Sequence, residues 1–414
     1  MASSSVSRFA WIVVGLLLPV ALLNYLDRQM IASMKVSVMQ SIPSIGTEAN
    51  WGLMLGKFKL VYAFFSPVGG YIADRFSRKW TICGSLFVWS AITWLTGHVD
   101  TYSELLWTRS LMGISEAFYI PAALALIADY HTGPTRSRAV GFHQMGIYTG
   151  VMIGGFAGFI ADSEALGWRK AFDFTGVAGI LYAVPLIFLL RDAPRIASSA
   201  GTLLKPTAAS SARELLTNRS FLLLAVYFTI PAAAAWMVRD WMPAILLKSF
   251  KISQGKAGVS ASLYWQAAAW ISAAAGGIWA DRWMRTNPRG RIYVSITGTA
   301  LIIPALFGVG NAGNLNSFSL AIAGLILFGF GWGFYDCNNM PILCQVARPE
   351  LRATGYGVMN FLSMVFGFGV DWTFGILSDR KVPLNLTCAV FAAGVLVSIF
   401  LILLVRPRSF DTTP

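Results

Sequence analysis

The chain uses one seven-residue pattern twice, as Gly69-Gly70-Tyr71-Ile72-Ala73-Asp74-Arg75 and again as Gly276-Gly277-Ile278-Trp279-Ala280-Asp281-Arg282. Each copy closes a long apolar run, so each sets a glycine pair inside a membrane-length helix and an Asp-Arg pair at its end. Such a repeat points to two related membrane-embedded halves in one polypeptide.

Composition agrees. Of 414 residues, 56% are hydrophobic and 12% charged, whereas a soluble domain carries roughly 25% charged residues. A bilayer core takes about 20 apolar residues per helix. Twelve such runs are predicted, at 9–34, 49–73, 79–97, 103–128, 139–161, 170–190, 219–247, 257–280, 291–310, 317–346, 353–378 and 384–405. Pro67, Pro121, Pro185, Pro231, Pro243 and Pro341 fall inside them. Neighbouring membrane helices can re-satisfy the backbone groups that proline frees, so these residues do not argue against helix. The expected fold is an all-α membrane protein with twelve transmembrane helices in two six-helix bundles, residues 1–190 and 219–414, joined by a polar cytoplasmic linker at 191–218.

The first twenty residues have the charge and apolar core of a secretory leader. The run continues into Asn24-Tyr25-Leu26-Asp27-Arg28 without a small-residue cleavage site, which reads as an uncleaved first helix. The net charge of +13 reads as topology rather than a nucleic-acid surface. Lys and Arg concentrate on the side of the N-terminus, which places both termini in the cytoplasm. Cys83, Cys337, Cys344 and Cys388 all fall within spans and offer neither a disulfide framework nor metal-ligand spacing. No cofactor or metal is expected.

Ionisable groups inside a span are costly and mark functional positions by default. The cations here are Arg28, Lys57, Lys59, Arg109 and Arg239; the acids are Asp27, Glu116, Asp240, Asp336 and Asp371. This many cations suit an anionic substrate. Arg109 and Glu116 share one helix face about 10 Å apart, too far for a direct pair, so each needs another partner. Asp27-Arg28, adjacent residues diverging by about 100°, can serve two neighbours. Apolar surroundings favour the neutral form of a carboxylic acid and a nearby arginine favours the charged form, which makes Glu116 a candidate proton carrier. Lys57 and Lys59 project too far apart to line one cavity. Lys59 shares its face with Gly52, Gly56, Tyr62 and Ser66, while Lys57 is expected to snorkel to the outer interface. Arg239-Asp240 reads as a charge pair in span 7 and His143 as a possible relay member. His98 and His131 fall at loop positions and receive no role. Gln266, Asn338, Asn339 and Asn360 offer groups that recognise hydroxyls, beside Asp336. Three scattered histidines and four cysteines supply no nucleophile-base set, so an enzyme is not expected.

The halves echo each other further. Gly113-Ile114-Ser115-Glu116-Ala117-Phe118-Tyr119-Ile120-Pro121 keeps the Gly, acid and Pro spacing of Gly333-Phe334-Tyr335-Asp336-Cys337-Asn338-Asn339-Met340-Pro341. Arg138-Ala139-Val140-Gly141 opens span 5 as Arg352-Ala353-Thr354-Gly355 opens span 11. Six spans per half make a parallel repeat, with the substrate site expected between the halves near the midplane. Gly70-x-x-x-Asp74-Arg75-x-x-Arg78-Lys79 resembles the signature between the second and third helices of the major facilitator superfamily, and Gly167-Trp168-Arg169 is another familiar element of it. The signature departs at Ser77, where that family usually has Gly, which predicts a looser turn. The resemblance implies a cytoplasmic gate of Asp74, Arg75, Arg78 and Lys79, with Arg136 and Arg138 as partners and Asp281 and Arg282 in the second half.

Asn24-Tyr25-x-Asp27-Arg28 and Arg109-x-x-x-Gly113-Ile114-x-Glu116-Ala117 resemble motifs of the anion:cation symporters, which include sugar-acid and sialin-like carriers. That resemblance implies proton-coupled uptake of a carboxylated sugar or similar organic acid. Asp27 and Glu116 would be the protonation sites, Arg28 the carboxylate clamp and Arg109 the organiser of the acids. Lys59, Tyr62, Gln266, Asn338, Asn339 and Asn360 complete the candidate substrate contacts, with His143, Arg239, Asp240 and Asp336 in the charge network. Spinster-like lipid transporters carry a related span 1 motif and a span 4 Glu, and are the alternative. The expected partners are a small organic anion, protons and the lipid bilayer, with the chain a monomer in a bacterial inner membrane.

Overall fold

Every predicted run is helical in the computed structural model, which describes residues 8–131, 135–193, 208–348 and 351–407. The first half contains α1 (Arg8–Ser33), the short α2 (Lys35–Ser41), α3 (Glu48–Arg75), α4 (Arg78–Thr96), α5 (Tyr102–Glu116), α6 (Tyr119–Tyr130), α7 (Arg136–Gly155), α8 (Ala157–Asp162) and α9 (Gly167–Leu189). After the linker helix α10 (Ala208–Thr217) come α11 (Arg219–Phe250), α12 (Gln254–Met284), α13 (Gly290–Ala312), α14 (Phe318–Val346), α15 (Arg352–Asp379) and α16 (Leu384–Leu403). Among the described residues, nine helical segments are long and apolar enough to cross a membrane by length and composition. The long helices outside that set are α3, α4 and α12, and α3 carries Lys57 and Lys59 in its middle.

Side-chain caps fix several helix starts. Thr47 accepts the Asn50 amide ahead of α3, and Ser317 accepts the Leu320 amide ahead of α14. Thr101 and Glu104 form a reciprocal capping box at α5. Ser77 departs from the family pattern for a visible reason: its hydroxyl accepts the Trp80 amide at 3.2 Å and so caps α4. Glycine would leave that donor without its cap.

Span 4 is not the single helix expected over 103–128. It breaks at Ala117–Phe118, between α5 and α6. Pro121 has no N–H to return to the Ala117 carbonyl, which weakens the ladder where the helix parts. Span 5 breaks similarly after Gly154-Gly155. The first glycine of each repeated pattern marks a close crossing. A Cβ at Gly69 would stand 2.7 Å from the Ala117 carbonyl oxygen and 2.8 Å from Phe118 Cα; one at Gly276 would stand 2.7 Å from Phe334 Cδ1 and 3.2 Å from Cys337 Sγ. Both glycines are therefore required by packing of the pattern's helix against the helix two spans later.

The chain divides into two compact units. One is drawn from Met1–Ile196, Arg239–Leu263 and Asp371–Asp379, the other from Ala197–Val238, Tyr264–Val370 and Arg380–Pro414. In the first, α1 packs on α7, α4 on α9 and α3 on α5. Its apolar core includes Val13, Leu17, Leu86, Trp89, Tyr119 and Leu126. In the second, α13 packs on both α14 and α16, and Phe221, Leu224, Tyr227, Tyr335 and Leu343 are buried together. The Tyr335 hydroxyl donates to the Phe228 carbonyl at 2.5 Å, and Tyr227 pairs with Ser295 at 2.7 Å. Large apolar side chains such as Phe64, Trp107, Leu181, Phe188, Val390 and Phe400 stay exposed, as lipid-facing surfaces require.

Candidate transport site

Two buried charge clusters lie in the first unit. In the first, Arg28 donates from Nε to Glu116 Oε2 at 2.7 Å and from Nη2 to Asn24 Oδ1 at 3.2 Å. Its guanidinium lies over three rings, 4.7 Å from the Tyr25 centroid, 4.8 Å from Phe58 and 4.9 Å from Tyr62. Arg28 is 7% exposed and Glu116 is fully buried. The partner predicted for Glu116 on span 1 is thus present. Asn24 sits four residues, about one helical turn, before Arg28 and points the same way.

Asp27 turns to another neighbour, as its angular offset requires. Thr93 Oγ1 of α4 donates to Asp27 Oδ2 at 2.8 Å. Arg109 lies in the electrostatic field of both Glu116 and Asp27, with its guanidinium 4.8 Å from the Phe58 centroid and Nη1 2.9 Å from Met112 Sδ. Arg28 Nη1, Asp27 Oδ1 and Arg109 Nε are buried and make no hydrogen bond among the described residues. A buried unmet polar atom is costly.

The second cluster is centred on Lys59. Its ammonium bonds to Asp240 of α11 and, at 2.5 Å, to Asp371 of α15. Lys59, Asp240 and Asp371 are all buried. Lys59 does face the interior, but its ammonium is engaged by two acids; Lys57 is half-buried. Asp240 pairs across helices with Lys59. Its chain neighbour Arg239 is half-buried, with its guanidinium 5.5 Å from the Tyr25 ring and its carbonyl accepting from Gln29.

A cavity of about 390 Å³ lies beyond this cluster, lined by Lys35, Met39, Glu48, Trp241, Lys248 and Phe374 among others. Lys35 pairs with Glu48, and its ammonium sits 4.5 Å from the Trp241 ring centroid. Burial pulls the Lys35 ammonium below the usual lysine range, with the Glu48 carboxylate opposing that shift.

His143 is buried, with Nε2 2.9 Å from the Tyr119 hydroxyl, which itself donates to the Leu17 carbonyl. Its neighbours are apolar-core residues of α1 and α6. His131 follows the end of α6, as its loop position predicts, and is fully buried, with Nε2 3.1 Å from the Ala10 carbonyl and Nδ1 3.2 Å from Thr135. In the second unit, Gln266, Asn338 and Asn339 are buried, and Asn360 and Asp336 are half-buried. Asn338 donates to the Phe334 carbonyl, whereas the side-chain amide of Gln266 makes no hydrogen bond among the described residues.

At the gate, Arg78 donates to the Ala125 carbonyl at 2.7 Å and pairs with Asp129. The Lys79 amide donates to Asp192 Oδ1 at 2.8 Å, and Ser77 also bonds to Asp192. Arg138 and Arg282 are exposed, and Asp281 accepts from Arg291 at 3.3 Å. The side chains of Asp74, Arg75 and Arg136 lie outside the described residues. Asp129, Asp192, Thr93 and Phe58 were not singled out from sequence. Asp192 had a signal, an acid directly after span 6; Thr93 and Phe58 sit in apolar runs where nothing sets them apart.

Helices throughout, a two-half repeat and charges buried within the spans define a multi-pass membrane transporter rather than an enzyme. The model described as Major Facilitator Superfamily matches residues 17–370, and the chain belongs to that family. It is 29% identical over 392 residues to "Protein spinster homolog 1" of Homo sapiens, covering 89% of this chain and 73% of that one. It is likewise 29% identical over 381 residues to an "MFS-type efflux pump" of Mycolicibacterium smegmatis, covering 90% and 85%. The crystal structure of a bacterial homolog to the human lysosomal transporter spinster, inward-facing and unoccupied, superposes with a TM-score of 0.79 at 21% identity, over 98% of this chain and 96% of that one. At that identity the likeness speaks to the fold.

Proposed function

We propose that the chain is a proton-coupled secondary transporter of an organic anion, working by alternating access. The observation that carries this reading is Arg28 held on Glu116 at 2.7 Å inside a cage of Tyr25, Phe58 and Tyr62. A proton taken by Glu116 cancels that carboxylate's charge and frees the guanidinium to grip a substrate carboxylate or phosphate. Charge-assisted bonds of this kind are strong in a water-poor site. Asp27, with Arg109 and Thr93 around it, is the second proton carrier, and the coupling runs through shared electrostatic partners. Arg28 and Tyr62 form the anion-binding wall. Within the second unit, taken by itself, Gln266, Asn338, Asn339 and Asn360 carry amides suited to hydroxyl groups.

The likeness to spinster homologues favours a second reading, a lysolipid or sphingolipid as the transported anion. The aromatic cage around Arg28 supports it, since rings accept an apolar body next to an anionic head. On the charge asymmetry of its loops we assign both termini to the cytoplasmic side, and we take the protein to be a monomer in a bacterial inner membrane. The test is uptake into proteoliposomes under an imposed pH gradient, with sugar acids and lysophospholipids offered separately. Wild-type protein accumulates its substrate with the gradient, and Glu116→Gln exchanges substrate without accumulating it. Accumulation indifferent to both the gradient and the substitution refutes proton coupling. The substrate that moves decides between the two anion classes.

A further inference from the structure

Two buried acids in the spans of the first unit share one ammonium. Arg28, Lys59 and Arg109 are cations less than a tenth exposed, while Asp27, Glu116, Asp240 and Asp371 are acids equally withdrawn. Lys35 is also buried, but it lies past the end of α1 and has Glu48. Half-buried Arg239 of α11 is a fourth cation in these spans, so the crowding of acids is local to Lys59 rather than a net surplus. Glu116 has Arg28, and Asp27 has the Thr93 hydroxyl and the field of Arg109. Asp240 and Asp371 share Lys59.

We infer that Lys59, Asp240 and Asp371 form a second proton-binding site, in which two carboxylates share one ammonium and one proton, with the proton on Asp371. Two acids on a single cation in a buried site cannot both ionise cheaply, and they titrate as a pair. The groups facing them choose which acid holds the proton. From α5, Arg109 acts on Asp240. From α11, half-buried Arg239 is next in the chain to Asp240. From α3 comes Lys59 itself. The added positive charge falls on Asp240 and keeps it ionised. Asp371 is fully buried, and besides Lys59 it has only the Trp241 side chain of α11 as a hydrogen-bonding neighbour among the described residues. The neutral acid is the cheaper form there.

With the proton in place the triad is neutral and ties together α3, α11 and α15. Loss of that proton to water leaves two ionised carboxylates against one ammonium, which loosens the tie. The site needs no participation by Glu116, so it stands or falls apart from the coupling reading above.

Infrared difference spectroscopy of the purified full-length protein in lipid nanodiscs reads the proton directly, as the carbonyl stretch of an un-ionised carboxylic acid at neutral pH. That band is expected in wild-type protein, in Asp27→Asn and in Glu116→Gln. Its Asp371 component is expected to be lost in Asp371→Asn and shifted in frequency in Asp371→Glu, a variant that keeps the acid and the fold. A wild-type protein without the band overturns the inference. So does a band of undiminished intensity in Asp371→Asn, or one unmoved in Asp371→Glu.

Discussion

The Arg28–Glu116 pair can be dissected by a double-substitution cycle. Both partners are buried, so Glu116→Leu strands a guanidinium and Arg28→Met strands a carboxylate. Breaking a buried pair from one side costs about 3–5 kcal/mol. Arg28 keeps Asn24 and three rings after Glu116→Leu, which puts that variant near the lower end. Unfolding entropy of about 2.1 cal/mol/K per residue over 414 residues gives roughly 0.9 kcal/mol per kelvin. Each single substitution should therefore lower the melting temperature by about 3–6 °C. The double variant Arg28→Met/Glu116→Leu leaves no stranded charge and should melt within about 1–2 °C of wild type. The two singles should also differ in pH response. A stranded carboxylate can take a proton, so the Arg28→Met penalty shrinks as the buffer is acidified; a stranded guanidinium stays charged at any accessible pH. Thermal melts in detergent at neutral and acid pH measure all of this. Additive single effects, or equal pH responses, refute the pairing as an energetic unit.

Two further predictions concern packing and capping. Ser77→Ala removes the α4 cap at a cost of about 1 kcal/mol and should speed hydrogen exchange of the Trp80 amide about fivefold; unchanged exchange removes Ser77 from that role. Gly69→Val drives side-chain atoms into the Ala117 carbonyl and should cost about 1–3 kcal/mol. Gly277→Ala meets nothing within 4 Å and should leave the melt unchanged, so equal effects at the two glycines refute the close crossing.

Much of this architecture was legible from local pattern. Apolar runs of membrane length all became helix, since backbone groups in a bilayer leave few other choices. The Arg28 partner of Glu116 was also legible, because a seven-residue gap on one helix denied Glu116 the help of Arg109. Lys59 was harder. Its acids lie 181 and 312 residues away in the chain, and no helical period encodes which distant span will arrive. The Ser77 departure read as a loosened turn, yet the hydroxyl serves as a cap that glycine lacks. The break in span 4 also escaped, since Pro121 appears equally in its counterpart Pro341, where α14 continues without interruption.

That difference between span 4 and span 10 gives the two halves different mechanics. Glu116 is the last residue of a 15-residue rod, at a joint, whereas Asp336 is embedded in an unbroken rod of 29 residues. The carboxyl ends of helices carry a partial negative charge, so Glu116 carries its own charge where the backbone already repels it. Neutralising Glu116 therefore relieves a local repulsion at an interruption of the helix. At Asp336 the same event would be spread along a stiff shaft.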